Sequence, residues 1–482
     1  MNINTGKKTV FVSGNFNVVH PGHLRLFRFA KECGDRLIVG IVSDRISGQA
    51  AHVPENLRLD GVESISWVDQ AFIFDEPVTE IIDRLRPDIV VKGKEFELQL
   101  NSESKILAQY GGHLVFSSGE AFFSSRDLIR KEFKDIELRS ISLPREYMSR
   151  HNITKSKLKS LVESFSSVKI CVVGDLIIDE YINCQPLGMS QEDPTIVVTP
   201  LDSTRYIGGA GIVAAHAAGI GANVHFFSIA GEDSSREFAE IQLSAEGVAF
   251  SLFADESRPT TLKQRFRSKG KTLLRVSHLH QGAISLQMQS RLLDQLEQSI
   301  CGVQLIVFSD FNYGCLPQPL VDKITLMAKD RGIMIAADSQ SSSQVGNIIR
   351  FQGADLLTPT EHEVRIALRN REDGLVVLAD ALVRQSAARN ILLKMGEEGL
   401  IIHSAEDQRC EGWLTDRVSA LNAAPRDVAG AGDSLLIVSA LTLACGGNIW
   451  EAACLGSLAA AVQVGRIGNT PLRKEELLNE LS

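Results

Sequence analysis

The chain has 482 residues, 44% of them hydrophobic and 23% charged, and carries a net charge of −9. Its length exceeds one ordinary domain of about 100 to 250 residues and points to two, and no polar low-complexity tract marks a part that would stay unfolded. The acidic balance excludes a general nucleic-acid binder, which would show a basic face, and leaves room for local basic pockets that hold small phosphates.

The eight cysteines are scattered without a C-x-x-C spacing, which predicts reduced and mostly buried thiols rather than a zinc or redox site. No apolar run approaches the ~20 residues needed to cross a bilayer, and the amino end leads into a strand rather than a signal-peptide core. A cytoplasmic protein without a membrane partner is the expectation.

In chain order, TVFVS (Thr9 to Ser13) reads as a strand that Gly14 breaks, followed by a helix from about Gly22 to Cys33 and a second strand over Arg36 to Asp44. Strand, helix and strand in one compact unit favour a right-handed parallel crossover. The apolar runs Gln70 to Phe74, Asp88 to Val91 and His113 to Phe116 continue the pattern. These predict a small, Rossmann-like, doubly wound α/β domain over residues 1–139. Pro144 and the polar residues around it mark residues 140–152 as a linker. From 153 to 482 a larger α/β domain is expected, with a helix at Lys155 to Val162 and strands at Lys169 to Gly174, Leu305 to Asp310, Ile333 to Asp338 and Ile391 to Lys394. The β-branched and polar stretches Tyr181 to Tyr206 and Thr260 to Val276 predict strands outside the main sheet, read equally well as a lid or as a plain edge sheet.

The segment SGNFNVVHPGH, Ser13 to His23, sets a turn of Gly14, Asn15, Phe16 and Asn17 after a strand and places His20 and His23 three residues apart at a helix start, with Gly22 between them. Free N–H groups and the helix dipole suit a phosphate there, and the two rings add donors to its oxygens. Helix capping or burial in the core is the plainer reading of either histidine. The segment resembles the H-x-G-H nucleotidyltransferase family, and two further stretches extend the likeness. Lys92 ends the strand of Pro87 to Gly93, and Ser124, Ser125 and Arg126 match a late Ser/Thr motif at a second helix start. The resemblance implies phosphate contacts from these residues and an in-line displacement at the α-phosphate of a nucleoside triphosphate. Asn17 stands where that family usually has aspartate.

Near the carboxyl end, PRDVAGAGDSLL puts Gly430, Ala431, Gly432 and Asp433 directly before an apolar helix. Small residues let consecutive N–H groups point at a phosphate, and Asp433 can take the proton of a hydroxyl that attacks the γ-phosphate of ATP; an aspartate helix cap is the alternative. This segment resembles the ribokinase (PfkB) family of sugar kinases. By that resemblance Gly208 and Gly209 with Asp175, Asp179 and Asp310 would bind the sugar, Lys394 and Gly396 would border the nucleotide, and Glu363 would serve magnesium. Ile212, Thr360, Ala429 and Gln340 depart from the pattern, standing for asparagine, asparagine, threonine and lysine.

Together the halves resemble the bifunctional heptose kinase/adenylyltransferase family of lipopolysaccharide biosynthesis, with the domain order inverted. That family implies ATP-dependent phosphorylation of D-glycero-D-manno-heptose 7-phosphate at the anomeric hydroxyl, then nucleotidyl transfer giving ADP-heptose and pyrophosphate. It also implies Mg2+, a monovalent cation near the kinase turn, and a homodimer through the kinase's projecting strands. The residues are equally compatible with another sugar, with CTP or GTP, or with a kinase domain kept as a binding or dimerisation module.

Overall fold

The computed structural model describes all residues except 1–7, 18, 20, 49–50, 52, 94–101, 118–140, 191, 194, 269–270, 341–345 and 406–413. The chain divides into two compact units, Met1–Leu138 with Leu368–Leu378, and Arg139–Ala367 with Ala379–Ser482. Among the described residues no helix is long and apolar enough to cross a membrane.

The smaller unit is built on strands β1 (Thr9–Gly14), β2 (Arg36–Val42), β3 (Gln70–Phe74), β4 (Ile89–Gly93) and β5 (His113–Ser117), all parallel, in the order β3-β2-β1-β4-β5. Side chains alternate across a strand, so Val10 and Val12 enter one core with Phe27, Leu37 and Val39. Phe11 points the other way, to Ile81, Ile82 and Val90. Both faces are covered, as a parallel sheet requires. Strand order reverses between β1 and β4, and the crevice at their carboxyl ends is where such folds bind ligands. The glycine turn after β1 and Lys92 at the end of β4 both lie there.

In the larger unit the strands, in chain order, are β6 (Lys169–Gly174), β7 (Leu176–Met189), β8 (Ile196–Gly209), β9 (Asn223–Ala230), β10 (Ala249–Ala254), β11 (Thr261–Ser268), β12 (Lys271–His278), β13 (Leu305–Asp310), β14 (Met334–Ser339), β15 (Leu356–Leu357), β16 (Asn390–Lys394), β17 (Leu400–Ser404) and β18 (Thr415–Val418). Among the described residues they form a nine-stranded sheet, β10-β9-β6-β13-β14-β15-β16-β17-β18, and a separate four-stranded sheet, β12-β11-β7-β8. The β-branched stretches left open between lid and edge therefore make a sheet of their own. Two helices, Ala431–Ala444 and Ile449–Val464, are buried nearly all round, and they supply the centre of the core with Trp450 fully enclosed.

Residues 140–152 do not behave as a linker where they are described. They carry the helix Arg145–Arg150, and Tyr147, Met148 and Ile153 join the core of the larger unit. The Tyr147 hydroxyl donates to the Trp450 carbonyl at 2.9 Å, and the His151 ring stacks on Trp450 at 4.2 Å. The polar residues that suggest an exposed connector are the outer face of this short helix, which is too brief to show a helical period in the sequence.

Candidate active sites in the two units

In the smaller unit, Gly14 is required by its neighbour: a Cβ there would stand 2.9 Å from the Phe16 ring. Phe16 itself adopts φ 47°, a left-handed conformation that is uncommon for a bulky residue and accumulates at ligand-binding turns. It is held there by burial and by Phe27 and His23, whose rings lie 5.1 Å from its own. His23 thus sits in the first turn of the helix Pro21–Glu32 on an aromatic bed, with buried Gly22 before it. Asn15 is committed within the unit, its side chain accepting from the Ser47 hydroxyl at 2.7 Å and its carbonyl from Arg58 at 2.7 Å. Lys92 donates to Glu103 at 2.7 Å, with the two side chains 17% and 8% exposed. Asn17 lies in the turn, partly buried. His20, Ser124, Ser125 and Arg126 lie outside the described residues.

Arg58 is a residue that sequence reasoning misses. Its guanidinium is buried and divided among the carbonyls of Val53 and Asn15 and the carboxylate of Asp44, which together fix the back of the turn. Arginine in a short polar helix carries no signal of that burial. Glu103 is missed for the same reason.

In the larger unit the site begins at the carboxyl ends of β6, β13 and β14 and at the four-stranded sheet. Asp179 on β7 is buried, and its Oδ1 accepts from Arg265 at 3.0 Å. Its other oxygen lies where a Cβ on Gly208 would be, so only glycine leaves room at that position. Burial raises the Asp179 pKa, against the pull of Arg265 and Lys263. Gly209, at φ 58°, crosses the Asp175 carbonyl just as closely.

Asp175 and Asp310, to which the resemblance gives a sugar-binding role, also organise the loop that follows Asp310. Asp175 spends both carboxylate oxygens on the N–H groups of Phe311, Tyr313 and Cys315, at 2.8, 3.3 and 3.2 Å. Asp310 accepts from the Asn312 N–H at 3.0 Å, the Ser339 hydroxyl at 3.1 Å and Arg350 at 2.9 Å. Both carboxyls shape the loop 310–315. Burial, with Asp310 beside it, pushes Asp175 up to about 6.

Gly430 takes φ 78° and leads into the helix whose first turn holds Ala431, Gly432 and Asp433. Asp433 is buried, pushed up to about 7 by burial first and by Asp338 and Asp179, while Lys394 and Lys263 pull the other way. Asp338 and Lys394 form a buried ion pair at 2.7 Å. Lys263 lies 5.1 and 5.0 Å above the rings of Phe311 and Tyr313. Gly396, at φ 62°, opens the turn that follows Lys394. Asp338, Lys263 and Arg265 are missed in the sequence, although two signals were there. Asp338 nearly ends an apolar strand, and Lys263, Arg265 and Arg267 recur at the two-residue period of one strand face.

Glu363, to which the resemblance gives a magnesium role, caps its own helix through one carboxylate oxygen. Its Oε2 accepts from the Thr360 N–H at 2.7 Å, and the Thr360 hydroxyl accepts from the Glu363 N–H at 3.3 Å, a reciprocal helix cap. Threonine caps nearly as well as asparagine, so the departure at residue 360 leaves the local structure intact. Among the described residues no group of three or more His, Cys, Asp or Glu side chains converges on a metal position.

Residues 167–475, more than half of the chain, match the pfkB family of carbohydrate kinases. The chain belongs to that family. Residues 11–117 match the cytidylyltransferase-like family, so the transferase-like segment precedes the pfkB segment. The bifunctional protein HldE of Geotalea uraniireducens (strain Rf4) is 26% identical over 331 residues, which cover 68% of this chain and 66% of that protein. The protein of the same name from Rhodopseudomonas palustris (strain TIE-1) is 31% identical over 66% of this chain and 64% of its own length. The matched stretch thus spans slightly under two thirds of these relatives. Among solved structures, phosphofructokinase-2 of Escherichia coli superposes with a TM-score of 0.52 at 16% identity, over 65% of this chain and 98% of that one. Ribokinase of Arabidopsis thaliana, complexed with ribose and ATP, gives 0.51 at 17% identity over 65% and 98%. At these identities the likeness establishes the pfkB fold of the larger unit and nothing finer.

Proposed function

We propose that the larger unit is an ATP-dependent sugar-phosphate kinase with D-glycero-D-manno-heptose 7-phosphate as acceptor, and that the smaller one is a nucleotidyltransferase that makes ADP-heptose from the sugar 1-phosphate left once a separate phosphatase has removed the 7-phosphate of the kinase product. The observation that carries the reading is Asp433, a buried carboxylate in the first turn of a helix opened by a glycine turn, in a chain of the carbohydrate kinase family. Asp433 takes the proton of the anomeric hydroxyl as that oxygen attacks the γ-phosphorus of ATP; the bond to the bridging oxygen breaks and ADP leaves. The N–H groups of Ala431 and Gly432 meet the charge that develops on the phosphate. Lys263 and Arg265, set around Asp179, favour an acceptor that is already anionic, because a neutral sugar has no use for two cations.

In the smaller unit the sugar 1-phosphate oxygen attacks the α-phosphorus of a nucleoside triphosphate and pyrophosphate departs, with His20, His23, Lys92 and the late Ser124, Ser125 and Arg126 motif as the phosphate contacts. Magnesium would enter both sites with the triphosphate and supply charge neutralisation there, with Glu363 near the kinase site as the residue that would serve it. A monovalent cation beside the kinase turn belongs to the same reading. Gln463 Oε1, Asn469 Oδ1 and Thr470 Oγ1 are buried oxygens without hydrogen-bond partners among the described residues, and Asn469 lies against Gly430. These three side chains would hold it, and it would steady the turn electrostatically. A homodimer through the four-stranded sheet belongs to the same reading, supported by Leu187, Met189, Ile196 and Leu201, which are exposed on β7 and β8.

The test is to incubate the protein with ATP, Mg2+ and the heptose 7-phosphate and follow products by mass spectrometry. A bisphosphate is expected, and ADP-heptose when heptose 1-phosphate is supplied as acceptor; nucleotide binding without phosphoryl transfer to heptose 7-phosphate would refute the heptose assignment.

A further inference from the structure

Strand β16 is buried along Ile391, Leu392 and Leu393 and ends at Lys394, whose backbone N–H donates to the Pro359 carbonyl at 2.8 Å. The side chain turns inward and is 13% exposed. Its stem and ammonium lie over the anion-binding turn: a Cβ on Gly432 would stand 3.9 Å from Cε and 3.2 Å from Nζ. Asp338, 3% exposed, anchors the ammonium from β14. A buried ion pair contributes little net stability compared with apolar side chains of the same size. Placed against the first turn of the Asp433 helix, this pair has electrostatic work to do there.

We infer that Lys394 is a positioning residue of the kinase site, an ammonium fixed by Asp338 over the Gly432 turn whose charge favours the carboxylate form of Asp433. The inference rests on the reading of Asp433 as the base. The charged groups around Asp433 are Asp338 from β14 and Asp179 from β7, which favour its protonation, and Lys394 from β16 and Lys263 from β11, which oppose it. Lys394 is also the charge that offsets Asp338, so without it Asp433 would share a buried site with an unbalanced carboxylate. Two buried carboxylates in one site do not both ionise readily, and a protonated Asp433 cannot accept the sugar proton. Burial opposes the charge of Lys394 itself, but Asp338 and Glu363 outweigh it and raise its pKa, so it stays an ammonium across the working range.

The experiment is a carboxyl 13C titration of the full chain labelled at aspartate, with the Asp433 resonance identified by its loss in Asp433→Asn. In Lys394→Met the Asp433 midpoint is expected to rise by about one pH unit or more, the usual scale for losing an adjacent opposite charge. In Lys394→Arg it should stay near the wild-type value, and in Asp338→Asn/Lys394→Met it should return toward it. The turnover number of Lys394→Met at pH 7 should fall about 5- to 10-fold with a smaller change in the KM for ATP, and recover at higher pH. An unmoved Asp433 midpoint in Lys394→Met would overturn the inference. If the wild type phosphorylates no sugar acceptor, the base reading fails, while the titration still decides whether Lys394 governs Asp433.

Discussion

The two units use one device in two ways. Each ends a parallel strand or enters a buried helix through a glycine turn, so that backbone N–H groups and a helix dipole face an anion. They differ in where the supporting charges come from. In the smaller unit Lys92 is steadied by Glu103, only 11 residues along the chain. In the larger one Lys394 reaches Asp338 across 56 residues, and Arg265 reaches Asp179 across 86. The turn is local and the electrostatics are not, and the longer the reach, the more the chemistry depends on two sheets being assembled correctly.

If the two sites are independent, one substitution should silence one and spare the other. The largest effect is expected for Asp433→Asn, which should lower sugar phosphorylation by roughly 10²- to 10⁴-fold, the scale of losing a general base. Nucleotidyl transfer to supplied sugar 1-phosphate should be untouched, as a coupled pyrophosphate assay would show. His23→Ala should reverse the pattern, cutting pyrophosphate release about 10²-fold while the kinase runs normally. Third, Glu103→Gln removes the negative charge that Lys92 pairs with at 2.7 Å, and the smaller unit should lose about 3 kcal/mol of stability in a denaturant titration.

The smallest effect sharpens the comparison through pH. Asp433 ionises at about 7 in the folded chain against 3.8 as the ordinary value, so the folded state keeps a proton that the unfolded chain gives up. Stability from this group is complete below about pH 4 and is lost as pH rises through 7. Asp433→Asn should therefore raise the melting temperature of the kinase unit at pH 8, by roughly 2–4 kcal/mol of unfolding free energy, and change it little at pH 4. Wild-type kinase turnover should climb with pH and level off above 7, since only the carboxylate accepts the proton.

Much of this architecture is legible in the sequence, and the limits are physical. Continuous apolar runs in Thr9 to Ser13 and Lys169 to Gly174 mark buried strands because both faces of a parallel sheet are covered. Gly14, Gly208 and Gly430 mark turns because a side chain at each would collide or adopt a disfavoured φ. The sequence does not reveal how a carboxylate is spent. Asp175, Asp310 and Glu363 occupy positions suited to ligands, and their hydrogen bonds to neighbouring N–H, hydroxyl and guanidinium groups come from residues that local pattern does not point to. Lys263, Arg265 and Asp338 reach the site only through tertiary pairing, which local pattern does not encode. The helix at Arg145–Arg150 shows the same limit, since its core-facing Tyr147 and Met148 are adjacent rather than periodic.

The central claim, two separate transferase sites of which Asp433 serves one alone, is tested most directly by mass spectrometry of the Asp433→Asn protein given ATP, Mg2+ and either heptose 7-phosphate or its 1,7-bisphosphate. No product from the first acceptor and ADP-heptose 7-phosphate with pyrophosphate from the second is the predicted result. Bisphosphate formed at the wild-type rate, or failure with both acceptors in a folded protein, would contradict it.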